Sequence, residues 1–256
     1  MDLIKKTEIL NRYLTQEIHK VEGWCIPQLW QAIWPLYTLI GPGSIAEIGV
    51  YEGKFFIGLA KTFGVEFEHA AIDVFDMQEF NLDKAGVGKK DVFLENASRL
   101  GVNKIECIRT DSLNLDFQNA VYLCDKYKKF KFFSIDGCHD VLHTTKDIEF
   151  AMQVTADEGI IAVDDYINPD WPEVQEAVTK MYHNNEYKFI PLLFICGKLL
   201  LCSAAYHEKY LKVVFDYIKE NHPTTRIKKV KRFGFDTYTI HQKKTTNFVL
   251  EWADLV

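Results

Sequence analysis

Five short, nearly continuous apolar runs, separated by stretches of helical length, constrain this chain more than any other feature. The runs are Ile45–Val50, His69–Val74, Lys104–Thr110, Phe130–Asp136 and Gly159–Asp164. Between them lie Lys54–Phe63, Lys89–Leu100, Asn114–Tyr127 and Val141–Thr155. A strand that is apolar on both sides must be covered on both faces, so the alternation predicts a parallel sheet between two helical layers. A further helix is expected around Glu173–His183. Lys188–Cys196 and Leu199–Ser203 then flank Gly197-Lys198, which suits a tight hairpin with glycine at its first central position. The fold class expected is α/β, with a seven-stranded, mostly parallel sheet closed by an antiparallel hairpin and helices on both faces.

The flanks are helical. Residues 1–22 place Leu3, Ile4, Leu10, Tyr13, Leu14, Ile18 and Val21 at helical spacing, and a more apolar helical segment runs from Trp24 to Ile40. Residues 207–222 suit one more helix, and 223–256 form a tail rich in Lys, Thr and aromatics. The expected division is a helical segment over 1–40, a core over 41–206, and a C-terminal helix and tail over 207–256. With 256 residues, 48% of them hydrophobic, the chain can bury a sizeable core without staples. A net charge of −6 argues against nucleic acid as the main partner, because phosphate neutralisation needs a basic face. The run Arg226, Lys228, Lys229, Lys231 and Arg232 is short and reads as a solvated face. Six scattered cysteines without a C-x-x-C pair suggest reduced thiols of a cytoplasmic protein. MDLIKKTEIL lacks the apolar run of a signal peptide, and Phe189–Ala205 is interrupted by Pro191, Gly197 and Lys198, so no membrane partner is expected.

Ligands of an open α/β sheet bind beyond the carboxyl ends of its strands, and here those ends are acidic and glycine-rich. The first strand runs into Glu47-Ile48-Gly49-Val50-Tyr51-Glu52-Gly53 ahead of a helix. Glycines there let a ligand approach the backbone, and the helix start offers unpaired N–H groups. A phosphate-cradling loop needs G-x-x-x-x-G-K-[ST], but Gly49 and Gly53 stand one residue too close and Phe55 follows Lys54. A dinucleotide fingerprint needs G-x-G-x-x-G, and the glutamate of this E-x-G-x-x-x-G loop would repel a pyrophosphate. An anion at that place suits a cofactor carrying positive charge, such as the amino group and sulfonium of S-adenosylmethionine. Asp73 ends the second run, 20 residues after Gly53, about where a ribose-binding acid belongs. Thr110-Asp111-Ser112 end the third with polar groups able to meet an adenine. Taken singly, Asp73 and Asp111 also fit turn or capping roles. Three strand ends in register favour the cofactor.

AEIGVYEGKFFIGLA, AAIDVFD, RTDSLN and IDGCHD followed by GIIAVDDY together resemble a class I S-adenosylmethionine-dependent methyltransferase. The resemblance covers about residues 40–205. It implies a Rossmann-like fold with strand order 3-2-1-4-5-7-6. It also implies that Glu47, Gly49 and Gly53 line the methionine end, that Tyr51 of the same loop belongs to the cofactor site, that Asp73 holds the ribose, and that Asp111 and Ser112 lie near the adenine.

The fourth run ends at Asp136-Gly137-Cys138-His139 and the fifth at Asp164-Asp165-Tyr166. As neighbouring strands they would bring Asp136 close to Asp164 and Asp165 where strand gives way to loop. Carboxylates gathered at one point raise one another's pKa, and a hard cation such as Mg²⁺ or Mn²⁺ removes that cost. Structural turn and capping roles are the alternative. The D-x-x-H…D-D arrangement is similar to the metal-dependent small-molecule O-methyltransferases, the group of the catechol and macrolide-sugar enzymes. It implies Asp136, Asp164 and Asp165 as metal ligands and His139 as general base. Catechol enzymes carry lysine at the base position and the sugar enzymes histidine, which tilts the expectation toward a sugar-type hydroxyl. Such a hydroxyl is a weak acid, so a Lewis-acidic ion and a positioned histidine base both help an in-line methyl transfer.

A rival pattern overlaps these residues. His139 and His143 stand at i, i+4 as in zinc hydrolases, but Asp140 replaces the catalytic glutamate, and His143 reads as a solvated or structural helix residue. Trp30, Trp34, Tyr166 and Trp171 are candidate walls of an acceptor pocket, although tryptophans at i, i+4 more commonly pack in cores. The function expected is therefore a metal-assisted O-methyltransferase acting on a small hydroxylated acceptor, a sugar or glycan, with a homodimer as a compatible assembly. A catechol or polyphenol acceptor is the alternative within enzymes. A non-catalytic module keeping the fold is the alternative from another class.

Overall fold

The computed structural model describes residues 3–82, 84, 86–184 and 187–241. Its sheet is built from β1 (Ile45–Ile48), β2 (His69–Asp73), β3 (Ile105–Arg109), β4 (Phe130–Ile135), β5 (Thr155–Val163), β6 (Phe189–Ile195), β7 (Lys198–Ser203), β8 (Arg226–Arg232) and β9 (Phe235–His241). The spatial order is β3-β2-β1-β4-β5-β7-β6-β9-β8. Strands β3, β2, β1, β4 and β5 are parallel, β7 is antiparallel to β5 and β6, and β9 returns parallel to β6. The first seven follow the expected order.

The sheet has nine strands where seven were expected. The two extra strands form a hairpin, turned at Phe233 and Gly234, both with positive φ. Its outer strand is the basic run itself. Ile227 and Val230 turn partly inward while Lys228, Lys229 and Lys231 stay exposed, which is how an edge strand is kept from pairing further. The basic residues expected on one solvated face are therefore divided between both faces of a strand, Lys229 and Lys231 on one and Arg226, Lys228 and Arg232 on the other.

The β6–β7 turn also differs in detail. Cys196 (φ +52°) and Gly197 (φ +87°) take its two central positions, and Lys198 pairs with Ile195 as the first residue of β7. Positive φ at both central residues is the primed turn that matches strand twist, with glycine second rather than first.

The helices are α1 (Leu3–Arg12), α2 (Trp30–Ile40), α3 (Lys54–Phe63), α4 (Lys90–Arg99), α5 (Phe117–Tyr127), α6 (Val141–Val154), α7 (Pro172–Asn184) and α8 (His207–Asn221). Two apolar layers sandwich the sheet. One holds Leu10, Ile33, Phe56, Phe93 and Val214, from α1, α2, α3, α4 and α8. The other holds Leu123, Ile148, Ala151 and Val178, from α5, α6 and α7. Alternation along the strands divides each between the layers, so Leu200 and Cys202 face the first while Leu199 and Leu201 face the second. The chain crosses from one layer to the other between β1 and β4, which opens a crevice at their carboxyl ends. No helix among the described residues is long and apolar enough to cross a membrane.

Candidate active site

That crevice is a cavity of about 730 Å³, walled by the ends of β1, β2, β4 and β5 and by the segment Trp24–Ile26. Its first wall depends on glycine. Gly49 has φ +79°, and a Cβ there would stand 1.8 Å from the carbonyl oxygen of Asp136, so only glycine lets this turn lie against the end of β4. Beyond it the N–H groups of Val50 and Tyr51 donate to Asp73 Oδ2 at 2.8 and 3.1 Å, and Phe75 N–H donates to Oδ1 at 2.6 Å. Asp73 thereby ties the first strand turn to the second. Burial pushes its pKa up while the three N–H groups pull against that rise.

Gly49, Tyr51, Asp73, Asp111 and Ser112 all line the cavity. Gly53 packs instead under the ring of Phe93 on α4. Glu47 lies beneath the floor, 2% exposed, and burial pushes its pKa up to about 8 with Lys198 acting against that rise. Asp111 does two things at once. Its Oδ1 accepts the Leu113 N–H at 3.0 Å, the capping role, and lies 3.3 Å from His143 Nε2.

His143 is structural but not solvated, being buried with Nδ1 2.7 Å from Asp140 Oδ2. It joins the N-terminus of α6 to the loop after β3. One turn further, Asp147 is buried near Ser112, and burial pushes its pKa up to about 7. Neither role has a signature in spacing alone.

At the ends of β4 and β5, Asp136 N–H donates to Ile48 O at 2.8 Å and Asp164 N–H to Ile135 O at 2.9 Å, holding three strand ends together. His139 Nε2 lies 3.2 Å from Asp165 Oδ2 and 3.9 Å from Asp136 Oδ1, and its ring stacks on Trp171 at 4.4 Å and 16°. Asp165 adopts φ +51°, and its Oδ1 accepts from Asn168 Nδ2 at 2.8 Å. Burial works to raise the Asp165 pKa, but hydrogen bonding to His139 and Asn168 outweighs it and holds the carboxyl below its ordinary range. Asp136 is driven well up, by burial and by the neighbouring Asp164.

Asp164 itself turns to Lys198, whose ammonium pairs with Asp164 Oδ2 and lies 3.7 Å from Asp136 Oδ2. Ligand atoms of Asp136, His139 and Asp165 fall within 4.8 Å of one another. His143 belongs to a separate group with Cys138 and Asp140, so the two histidines do not share a metal as the zinc pattern would require. Trp30 and Trp34 are core residues and Tyr166 is buried, whereas Trp171 lines the cavity. Several lining residues were not singled out from the sequence, Trp24 and Lys198 among them. Trp24 stands 80% exposed at the mouth beside Tyr51, and Lys198 sits in the floor. A lysine inside an otherwise apolar hairpin was the available signal for the second.

Residues 46–166 match a family model described as a methyltransferase domain. Those residues form a methyltransferase domain, and the sheet around them has the class I strand order. No curated protein matches its sequence. Among solved structures, the O-methyltransferase NovP superposes with a TM-score of 0.57 at 12% identity, over 79% of this chain and 99% of the other. The O-methyltransferase TomG of Streptomyces achromogenes, in complex with S-adenosylmethionine, gives 0.51 at 14%, over 79% and 89%. The O-methyltransferase of Bacillus cereus, in complex with S-adenosylhomocysteine, gives 0.50 at 15%, over 79% and 92%. These likenesses establish the shared fold. The methyltransferase cavity suits S-adenosylmethionine in size, and it presents a fixed acid, Asp73, at the end of β2.

Proposed function

We propose that this methyltransferase moves the methyl group of S-adenosylmethionine onto a hydroxyl of a small acceptor, a sugar or glycan, with His139 as general base. The observation that carries the reading is the setting of His139. Its Nε2 faces Asp165 at 3.2 Å, its ring is clamped against Trp171, and it opens onto the cavity. A base needs such an orienting partner to present one nitrogen to the reacting group. In the step proposed, the imidazole takes the hydroxyl proton on the ring nitrogen that Asp165 does not hold. The oxygen then bonds the methyl carbon in line as the carbon–sulfur bond breaks, and S-adenosylhomocysteine leaves.

The acceptor class is supported by the imidazole at the base position, by the polar groups of Asn168 and Asp170, and by the exposed ring of Trp24 and the half-buried ring of Trp171, which line the same cavity. Asp136 and Asp165 also fit a divalent ion, Mg²⁺ or Mn²⁺. They supply hard oxygen donors close together, and burial leaves Asp136 in need of a counter-charge. Bound there, the ion supplies Lewis acidity to the acceptor oxygen.

The test is His139→Ala, read by turnover, metal content and cofactor affinity together. A positioned base is worth roughly 10²–10⁴ in rate, so turnover should fall by that factor with both affinities kept, and residual activity should rise with pH. A variant that turns over like the wild type removes His139 from the chemistry, and one that loses its metal makes it a ligand. In the wild type, chelation should abolish turnover and Mn²⁺ restore it. Turnover that survives chelation removes the ion from the reading.

A further inference from the structure

The buried lysine beneath the acid cluster is the feature the methyl-transfer scheme leaves unused. Lys198 is 3% exposed, at the start of β7. Its ammonium pairs with Asp164 Oδ2, stands 3.7 Å from Asp136 Oδ2 and lies 4.5 Å above the centre of the Phe55 ring. An ammonium this deep persists only when carboxylates compensate it. Asp164 is its main partner, and the other Asp164 oxygen already accepts the Asp165 N–H at 2.9 Å. The remaining two acids divide differently. Asp136 turns Oδ1 toward His139, and Asp165 does the same with Oδ2.

The geometry points to Lys198 as the resident cation of this cluster, one that occupies Asp164 and keeps it out of the shell of a divalent ion seated on Asp136 and Asp165. The inference rests on the proposed function only for the location of that seat. Two consequences follow from elementary electrostatics. A fixed positive charge a few ångströms from the seat weakens the hold on any divalent ion. The same charge neutralises one of three carboxylates that would otherwise repel each other, so the cluster keeps its shape with or without the ion.

The experiment is Mn²⁺ binding by calorimetry to the full chain, without acceptor, for the wild type, Lys198→Met and Lys198→Met/Asp164→Asn. Binding of S-adenosylhomocysteine serves as the check on folding. Lys198→Met should bind Mn²⁺ at least tenfold more tightly, because Asp164 becomes available and the repelling charge is gone. The double variant should lose that gain. An unchanged or weaker affinity in Lys198→Met overturns the inference, as does a gain that persists in the double variant. Should the wild type take up no Mn²⁺ while Lys198→Met does, the inference stands and the divalent part of the proposed function falls. If Lys198→Met does not fold, Lys198→Gln keeps a polar partner for Asp164 without the charge and is judged by the same outcomes.

Discussion

Replacing Asp73 with alanine removes, in one step, the acceptor of three backbone N–H groups: Val50 at 2.8 Å, Tyr51 at 3.1 Å and Phe75 at 2.6 Å. A hydrogen bond to a charged acceptor is worth roughly 1.5–3 kcal/mol. Water entering the vacated space will satisfy some of the freed donors, so the net cost to folding should be about one such bond rather than three. For a chain of this size each kcal/mol lowers the midpoint of thermal unfolding by about 2–4 °C. Cofactor affinity should fall by a similar energy, because the ribose hydroxyls lose the same charged acceptor. At about 1.4 kcal/mol per factor of ten, that is a roughly 10- to 150-fold weakening. Calorimetry with S-adenosylhomocysteine reads the second effect and thermal unfolding without ligand the first. Asp73→Asn, which keeps one acceptor oxygen, should fall between the two proteins in both. A lowered melting point with wild-type affinity would leave Asp73 a purely structural clamp and refute its place at the ribose. An unchanged melting point would refute the clamp itself.

Gly49→Ala forces a side chain into φ +79° and against a carbonyl oxygen 1.8 Å away. The left-handed backbone alone costs roughly 1–2 kcal/mol, so denaturant unfolding should show at least that loss together with weakened cofactor binding; a wild-type midpoint would mean that the turn does not lie on β4. Glu47 keeps its proton in the folded chain up to about pH 8 but loses it when unfolded near its ordinary 4.5. Its contribution is therefore complete below about pH 4.5 and declines as pH rises toward 8. Glu47→Gln should flatten the fall of stability across that window by up to about 1.36 kcal/mol per pH unit, measured by urea unfolding at several pH values; parallel curves for the two proteins would show Glu47 to be charged in the fold.

The parts of the molecule legible in the sequence are those governed by local pattern. Five apolar runs and their intervening helices predict the parallel core because burial on both faces leaves strands such as Phe130–Ile135 with little polar alternation. The strand-end acids were legible for the same reason, since Asp73, Asp111, Asp136, Asp164 and Asp165 stand where an apolar run stops. What escaped depends on partners far along the chain. Strand β9 is specified by its pairing with β6, some 45 residues earlier, and its hairpin partner β8 is so rich in lysine and arginine that Ile227 and Val230 alone do not advertise it. His143 read as either solvated or structural because the partner that decides between the two, Asp111, lies on another element 32 residues earlier, whereas Asp140 caps the same helix. Glu47 was expected at the cofactor from its place in the loop, but strand alternation turns it toward the layer that holds Phe55 and Lys198, beneath the floor.

The charge of the site and the turn of the β6–β7 hairpin beside it are one structural decision. Cys196 and Gly197 both take positive φ, which starts the β7 ladder at Lys198 opposite Ile195. Because side chains alternate, that start puts Lys198 on the same face as Leu200 and Cys202, toward Phe55 and the acids of β4 and β5. A slip of one residue would send every side chain of β7 to the opposite face. Lys198 would then enter the apolar layer of Ile148, Val178 and Tyr166, and Leu199 and Leu201 would exchange places with Leu200 and Cys202. The three leucines and the cysteine would tolerate that exchange, being all apolar. The lysine would not, because burying an ammonium without a carboxylate costs far more than any of those packing changes. The single charged residue of β7 therefore pins its register through its place among the acids, and the hairpin returns the favour by holding a positive charge where Asp136 and Asp164 would otherwise repel each other.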